Sequence, residues 1–218
     1  MGFRGSPTLD TLVAFAVVFA VQQLTVVFEL ALGLGQLWQT LFVLGSPVTV
    51  RPWTLFTSVY AHAGVGHLLS NAVALVLVGF VLERYTTRAR FHAFFVATGA
   101  LAGLSQVWLG GFLNGLTGGP AVGSAVLGAS GAVLALYGYV LGGNRLTTAV
   151  ADRLDAGASV EWALALLVAA VLTWMTASPG VAIIAHFTGV LLGLAAGRLD
   201  LLATPPSTKA DGRNATYK

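Results

Sequence analysis

A chain of 218 residues that is 56% hydrophobic and only 9% charged is not an ordinary water-soluble domain, in which roughly a quarter of residues are charged. With a mean hydropathy of +0.84 it reads as a membrane protein. The net charge of +3 comes from basic residues scattered between apolar segments, with no aromatic-interleaved basic patch, which argues against a nucleic-acid partner; the absence of cysteine excludes disulfides and thiolate chemistry.

Six apolar segments come close to the ~20 residues needed to cross ~30 Å of hydrocarbon: about 9–33, 67–83, 91–110, 122–142, 160–177 and 180–199. The first is too long for a signal-peptide core and lacks a small-x-small cleavage site, so it is expected to stay in the mature protein. The connection from Gly35 to Gly66 is too apolar for a solvated loop. It carries Trp38, Phe42, Trp53, Phe56 and Tyr60, and is expected to lie partly in the membrane interface.

Basic residues alternate between connections. Arg4 precedes segment one, Arg84, Arg88 and Arg90 lie between two and three, and Arg145 and Arg153 lie between four and five. Arg198, Lys209, Arg213 and Lys218 follow six, whereas the opposite set of connections holds only Arg51. The positive-inside rule then makes both termini cytoplasmic. The chain divides into a short cytoplasmic N-terminus (1–8), a six-helix membrane domain (9–199) and a disordered cytoplasmic tail (200–218).

From Phe91 to Asn144 there is no Asp, Glu, Lys or Arg, and Ser130 stands inside this run in Gly128-Ala129-Ser130-Gly131. A glycine-rich approach leads into a predicted helix start, where free backbone N–H groups favour developing negative charge. Only 12 residues, Ser130 to Leu141, precede the charged inner connection, so this helix is expected to begin below the outer surface. Non-helical backbone above it must line protein or a wet cavity.

His186 is an ionisable residue in an otherwise apolar helix, which makes it a functional candidate by default. Gly189, Gly193 and Gly197 recur every four residues beside it, and Gly131, Ala135, Gly138 and Gly142 form a matching small stripe beside Ser130. Two such stripes allow close backbone approach, which would bring Ser130 to His186 as nucleophile and general base. His67 and Asn71 are four apart on one helix face, a plausible oxyanion clamp. His62 is expected at the interface in a structural role, and His92 falls near the cytoplasmic end. Glu29 is read as snorkelling or hydrogen-bonded, and Glu83 with Arg84 as an interfacial anchor.

Several chemistries lack their residues. There is no His-Glu-x-x-His, no aspartate in a spanning core, and no carboxylate to partner the histidines on a metal. No metal or cofactor is expected. A transporter or channel fits poorly, because the spans lack paired intramembrane charges.

Taken together these residues resemble the rhomboid intramembrane serine proteases. The likeness rests on Trp53, on His62 followed by His67-x-x-x-Asn71, on Gly79 and Glu83, on Gly128-Ala129-Ser130-Gly131, and on Ala185-His186 followed by Gly189 and Gly193. It implies a six-transmembrane-helix, all-α polytopic bundle that cleaves transmembrane segments of other proteins in the bilayer. Ser130 and His186 would form a catalytic dyad, with His67, Asn71 and the Ser130 N–H as oxyanion hole. Segment five and the Ala177–Gly180 loop would form a gate and lid. The site would face the outer side of a prokaryotic cytoplasmic membrane. The alternative is a non-catalytic relative that binds membrane spans; retention of both Ser130 and His186 argues against it. The family's usual aromatic residue four after the serine is here Leu134, and arginine does not follow Trp53. Neither an aromatic ring nor a carboxylate is therefore in view to orient His186.

Overall fold

A computed structural model describes residues 5–117, 125–143, 158–177 and 181–203, and it is helical throughout. In chain order the α-helices are α1 (Pro7–Leu32), α2 (Leu37–Phe42), α3 (Thr54–Tyr60), α4 (Val65–Leu82), α5 (Arg88–Leu116), α6 (Ser130–Gly142), α7 (Ala158–Met175) and α8 (Ile183–Arg198). Among the described residues, α1, α4 and α5 are long and apolar enough to cross a membrane, and α6, α8 and the Trp162–Met175 part of α7 are shorter apolar helices. The predicted tail beyond 203, most of the lid, the Gly118–Gly123 approach and the connection bearing Arg145 and Arg153 lie outside the described residues.

The helices turn apolar side chains outward as well as inward. In α1 only one stripe is buried, including Thr8, Thr11, Phe15, Gln22 and Thr25, while Val13, Val17, Leu24 and Val27 are exposed. Water would penalise that face at about 25 cal/mol per Å². Hydrocarbon does not, so this is an integral membrane protein.

The helix ends are locally determined. Ser6 caps α1, its Oγ accepting from the Leu9 N–H, Pro7 takes the first turn, and Gly33 closes it at φ 67°. Thr87 caps α5 by accepting from the Arg90 N–H. At the same end of the bundle, Glu83 accepts from the Ser6 hydroxyl at 2.7 Å and the Thr8 N–H at 3.2 Å. Asp10 pairs with Arg88 at 2.6 Å and His92 at 3.2 Å. Removing the double acceptor by Glu83→Ala is expected to cost about 1–2 kcal/mol of stability, read as a shifted denaturation midpoint in detergent.

α6 is the central helix. It buries residues all round, Gly131, Ala132, Val133, Ala135, Leu136, Gly138, Tyr139 and Gly142, the pattern of a helix enclosed by others. Its most extensive packing is with α8. There the two small-residue stripes meet: a Cβ on Gly189 would strike the Gly131 carbonyl, one on Gly193 the Ala135 carbonyl, and one on Gly197 the Tyr139 carbonyl. Side chains larger than hydrogen have no room.

One boundary differs from expectation. Segment three extends from 91–110 to Arg88–Leu116, about 44 Å at 1.5 Å per residue. The helix of segment four starts at Ser130, as its glycine-rich approach predicts; ahead of it Val126 pairs with Leu44 in a two-hydrogen-bond bridge (2.9 and 2.8 Å) and Gly128 takes φ +131°. The 13-residue helix reaches about 20 Å, short of the ~30 Å hydrocarbon layer.

Candidate active site

The site is assembled at the end of the bundle opposite Glu83, Asp10 and Arg88. The connection between α1 and α4 builds its scaffold. Glu29 accepts the Trp38 N–H at 2.6 Å at the start of α2, Trp53 Nε1 donates to the Thr40 carbonyl at 3.1 Å, and Thr57 Oγ1 donates to the Leu41 carbonyl at 2.6 Å. This folded connection holds the strand-like approach to Ser130 through the Leu44–Val126 bridge and the Gly128 N–H to Ser58 carbonyl bond of 2.9 Å.

Ser130 is the first residue of α6. The helix ladder starts with the Val133 N–H on the Ala129 carbonyl at 2.9 Å, so the N–H groups of Ser130, Gly131 and Ala132 precede it, at the positive end of the helix. Ser130 Oγ lies 2.8 Å from His186 Nε2. His186 sits in the first turn of α8 and is buried. Its depth is set by α5: Gln106 Oε1 accepts from the Ile184 and Ala185 N–H groups at 3.1 and 3.2 Å, capping a helix whose own N-cap, Ala182, has no side-chain acceptor. The other imidazole nitrogen, Nδ1, is 2.9 Å from Thr176 Oγ1.

His67 and Asn71 reach the same cavity from α4. The cavity has a volume of about 1080 Å³, and Ser130, His186, His67, Asn71, Gln106 and Thr176 are among its lining residues. The Asn71 amide donates to the His67 carbonyl at 3.0 Å, which leaves its second N–H available. His67 Nδ1 accepts from the Ala63 N–H at 3.4 Å, so its proton belongs on Nε2 and that nitrogen is a donor. The ring lies against Gly128, where a Cβ would come within 2.9 Å of Nε2. Gly128 therefore has two reasons to be glycine, its positive φ and the imidazole on its face.

His62 has the structural role expected of it, in a buried setting. The side chain is 2% exposed, with its ring 4.8 Å from Phe15 and 5.2 Å from His67. Its backbone is fixed by Gln22, which donates to the His62 carbonyl at 3.3 Å and accepts its N–H at 3.0 Å. That reciprocal amide pair draws the chain inward, so the ring supports His67 from behind. His92 lies at the far end on Asp10, outside the site.

Gln22, Gln106 and Thr176 are the polar supports around the candidate site that sequence reasoning passed over. Gln22 and Gln106 are amides inside long apolar helices, a signal open to reading because such groups need partners there. Thr176 left none, standing among Thr173, Met175 and Ala177 at a helix end.

The family model described as Rhomboid domain matches residues 49–202, from within the α1–α4 connection to just past α8. The chain belongs to the rhomboid family. A search of curated proteins finds no match. Rhomboid membership agrees with the helical fold and the apolar helices. The family includes intramembrane serine proteases and inactive homologues, so the reaction has to be argued from the site.

Proposed function

We propose that this rhomboid-family chain is an intramembrane serine endopeptidase that cleaves transmembrane segments of other membrane proteins. The observation that carries the reading is the 2.8 Å approach of Ser130 Oγ to His186 Nε2, on the wall of a large cavity within a membrane protein. A serine hydroxyl is a weak nucleophile until an adjacent base takes its proton. His186 is the neighbouring base: Nε2 receives the proton as Ser130 Oγ attacks the scissile carbonyl. The resulting oxyanion falls near the N–H at the start of α6, with the free Asn71 N–H and His67 Nε2–H as further donors. His186 then returns the proton to the leaving amine, an acyl-enzyme remains on Ser130, and water hydrolyses it by the same proton path. The reaction requires neither metal nor cofactor.

The proposal includes a six-span topology with both termini cytoplasmic and the catalytic end facing outward. The cluster of Glu83, Asp10, Arg88 and His92 at one end and the site at the other support it, as does the alternation of arginine between connections. The domain division into 1–8, 9–199 and 200–218 follows from it.

The test is cleavage of a single-span substrate by purified protein in lipid, wild type beside Ser130→Ala, with fluorophosphonate labelling of both. Cleavage and labelling by the wild type, and neither by the variant, are expected. Cleavage that persists in Ser130→Ala would remove the serine mechanism. A wild type that takes up no label and cuts nothing would point to a non-catalytic member of the family.

A further inference from the structure

We infer that Thr176 is a positioning residue that sets the tautomer of His186, standing where other serine hydrolases use a carboxylate. The inference rests on the protease reading and deepens it. Three distances meet at the Thr176 hydroxyl: 2.9 Å to His186 Nδ1, 3.0 Å to the Leu172 carbonyl and 3.1 Å to the Thr173 carbonyl. A hydroxyl has one hydrogen and two lone pairs, and a carbonyl only accepts. The hydrogen therefore goes back to the helix, the usual bond of a threonine near a helix end. Oγ1 is left as an acceptor, so the proton of neutral His186 sits on Nδ1.

That assignment decides what Nε2 can do. With Nδ1 protonated, the Nε2 lone pair faces Ser130 Oγ at 2.8 Å and can take its proton. The opposite tautomer would aim an N–H at the serine and leave no base. In a Ser-His-Asp triad the aspartate holds this orientation, and among the described residues no Asp or Glu lines this cavity. Here the acceptor chain runs from Nδ1–H to the Thr176 hydroxyl and on to carbonyls in the last turn of α7, the negative end of that helix. Imidazolium formed during attack meets the same acceptor. The orienting group stands one residue past the end of α7, whereas the nucleophile and base ride on α6 and α8, so the tautomer is set only while the end of α7 stands against α8. This also supplies what the leucine at position 134 does not.

The experiment uses full-length protein in lipid with Thr176→Val, which keeps the shape and removes the hydroxyl, and Thr176→Ser, which restores it. With the His186 signal identified by its loss in His186→Asn, ¹⁵N spectra of histidine-labelled protein should show Nδ1 protonated in wild type and Thr176→Ser. That preference should be lost in Thr176→Val. On a transmembrane substrate, kcat of Thr176→Val should fall about 10-fold or more, as when the partner orienting a histidine is removed. KM should stay within about 2-fold, and Thr176→Ser should recover most of the rate. An unchanged tautomer in Thr176→Val, or a serine variant as slow as the valine one, would overturn the assignment. The spectra need no turnover, so a protein that cleaves nothing would defeat the protease reading while the tautomer still answers for Thr176.

Discussion

His186→Ala is expected to lower kcat by about 10⁴-fold or more, on the scale seen when the serine or the histidine of other serine hydrolases is removed. In the proposed mechanism the two groups act as one device. Ser130 Oγ at 2.8 Å from Nε2 is reactive only as its proton leaves, and no other base lies within hydrogen-bond distance of that hydroxyl among the described residues. The double variant Ser130→Ala/His186→Ala should therefore be no slower than either single one, since the second change removes nothing the first left working. Any residual rate would come from the α6 N–H groups, Asn71 and His67 acting on bound substrate. Substrate binding should survive, because both residues are small parts of a large cavity wall; single-turnover and binding measurements on the same preparations separate the two effects. If the double variant lost a further large factor, independent roles for Ser130 and His186 would have to be assigned.

Gly193→Leu is expected to prevent α8 from docking on α6 and to abolish activity without touching the site. A Cβ at Gly193 would meet the Ala135 carbonyl carbon at 2.8 Å and the Tyr139 nitrogen at 2.8 Å. Both are backbone atoms of the central helix, which cannot rotate away as a side chain would. Even Gly193→Ala should cost about 3 kcal/mol, at the upper end for overpacking. Gly35→Ala is the control, because nothing lies within 4 Å of a Cβ there, and it should be near neutral. Denaturation in mixed micelles measures both. The activity of Gly193→Ala carries a second prediction: pushing α8 off α6 lengthens the Ser130–His186 contact, so rate should fall among molecules that remain folded.

The small-residue stripes show how far a linear reading reaches. Gly189 and Gly193, three and seven residues beyond His186, share its face by helical geometry alone, and the facing stripe beginning at Gly131 was equally visible. Their contact in the structure follows because apolar helices in hydrocarbon gain little from burial and associate where backbones come closest. The polar positions Ser130, His186, His67 and Asn71 were legible for a related reason. A hydroxyl, imidazole or amide in a charge-free segment is expensive to keep and so conspicuous.

What escaped was whatever depends on partners distant in the chain. The burial of His62 had no local signal, because nothing nearby announces that Gln22, 40 residues earlier, will clasp its backbone. The bridge that holds the approach to Ser130, Val126 on Leu44, had no local signal either. The sequence by itself determined that the chain lives in a membrane, which apolar segments become its longer helices, and which few polar groups stand in them, since those follow from composition, periodicity and the cost of polar groups in lipid. Only the tertiary structure decided which further groups join the Ser130–His186 pair. It set His67 against Gly128, Gln106 on the start of α8, and the Thr176 hydroxyl behind the imidazole. Hydrogen bonds between separate helices are set by packing depth and rotation, quantities that no local pattern encodes.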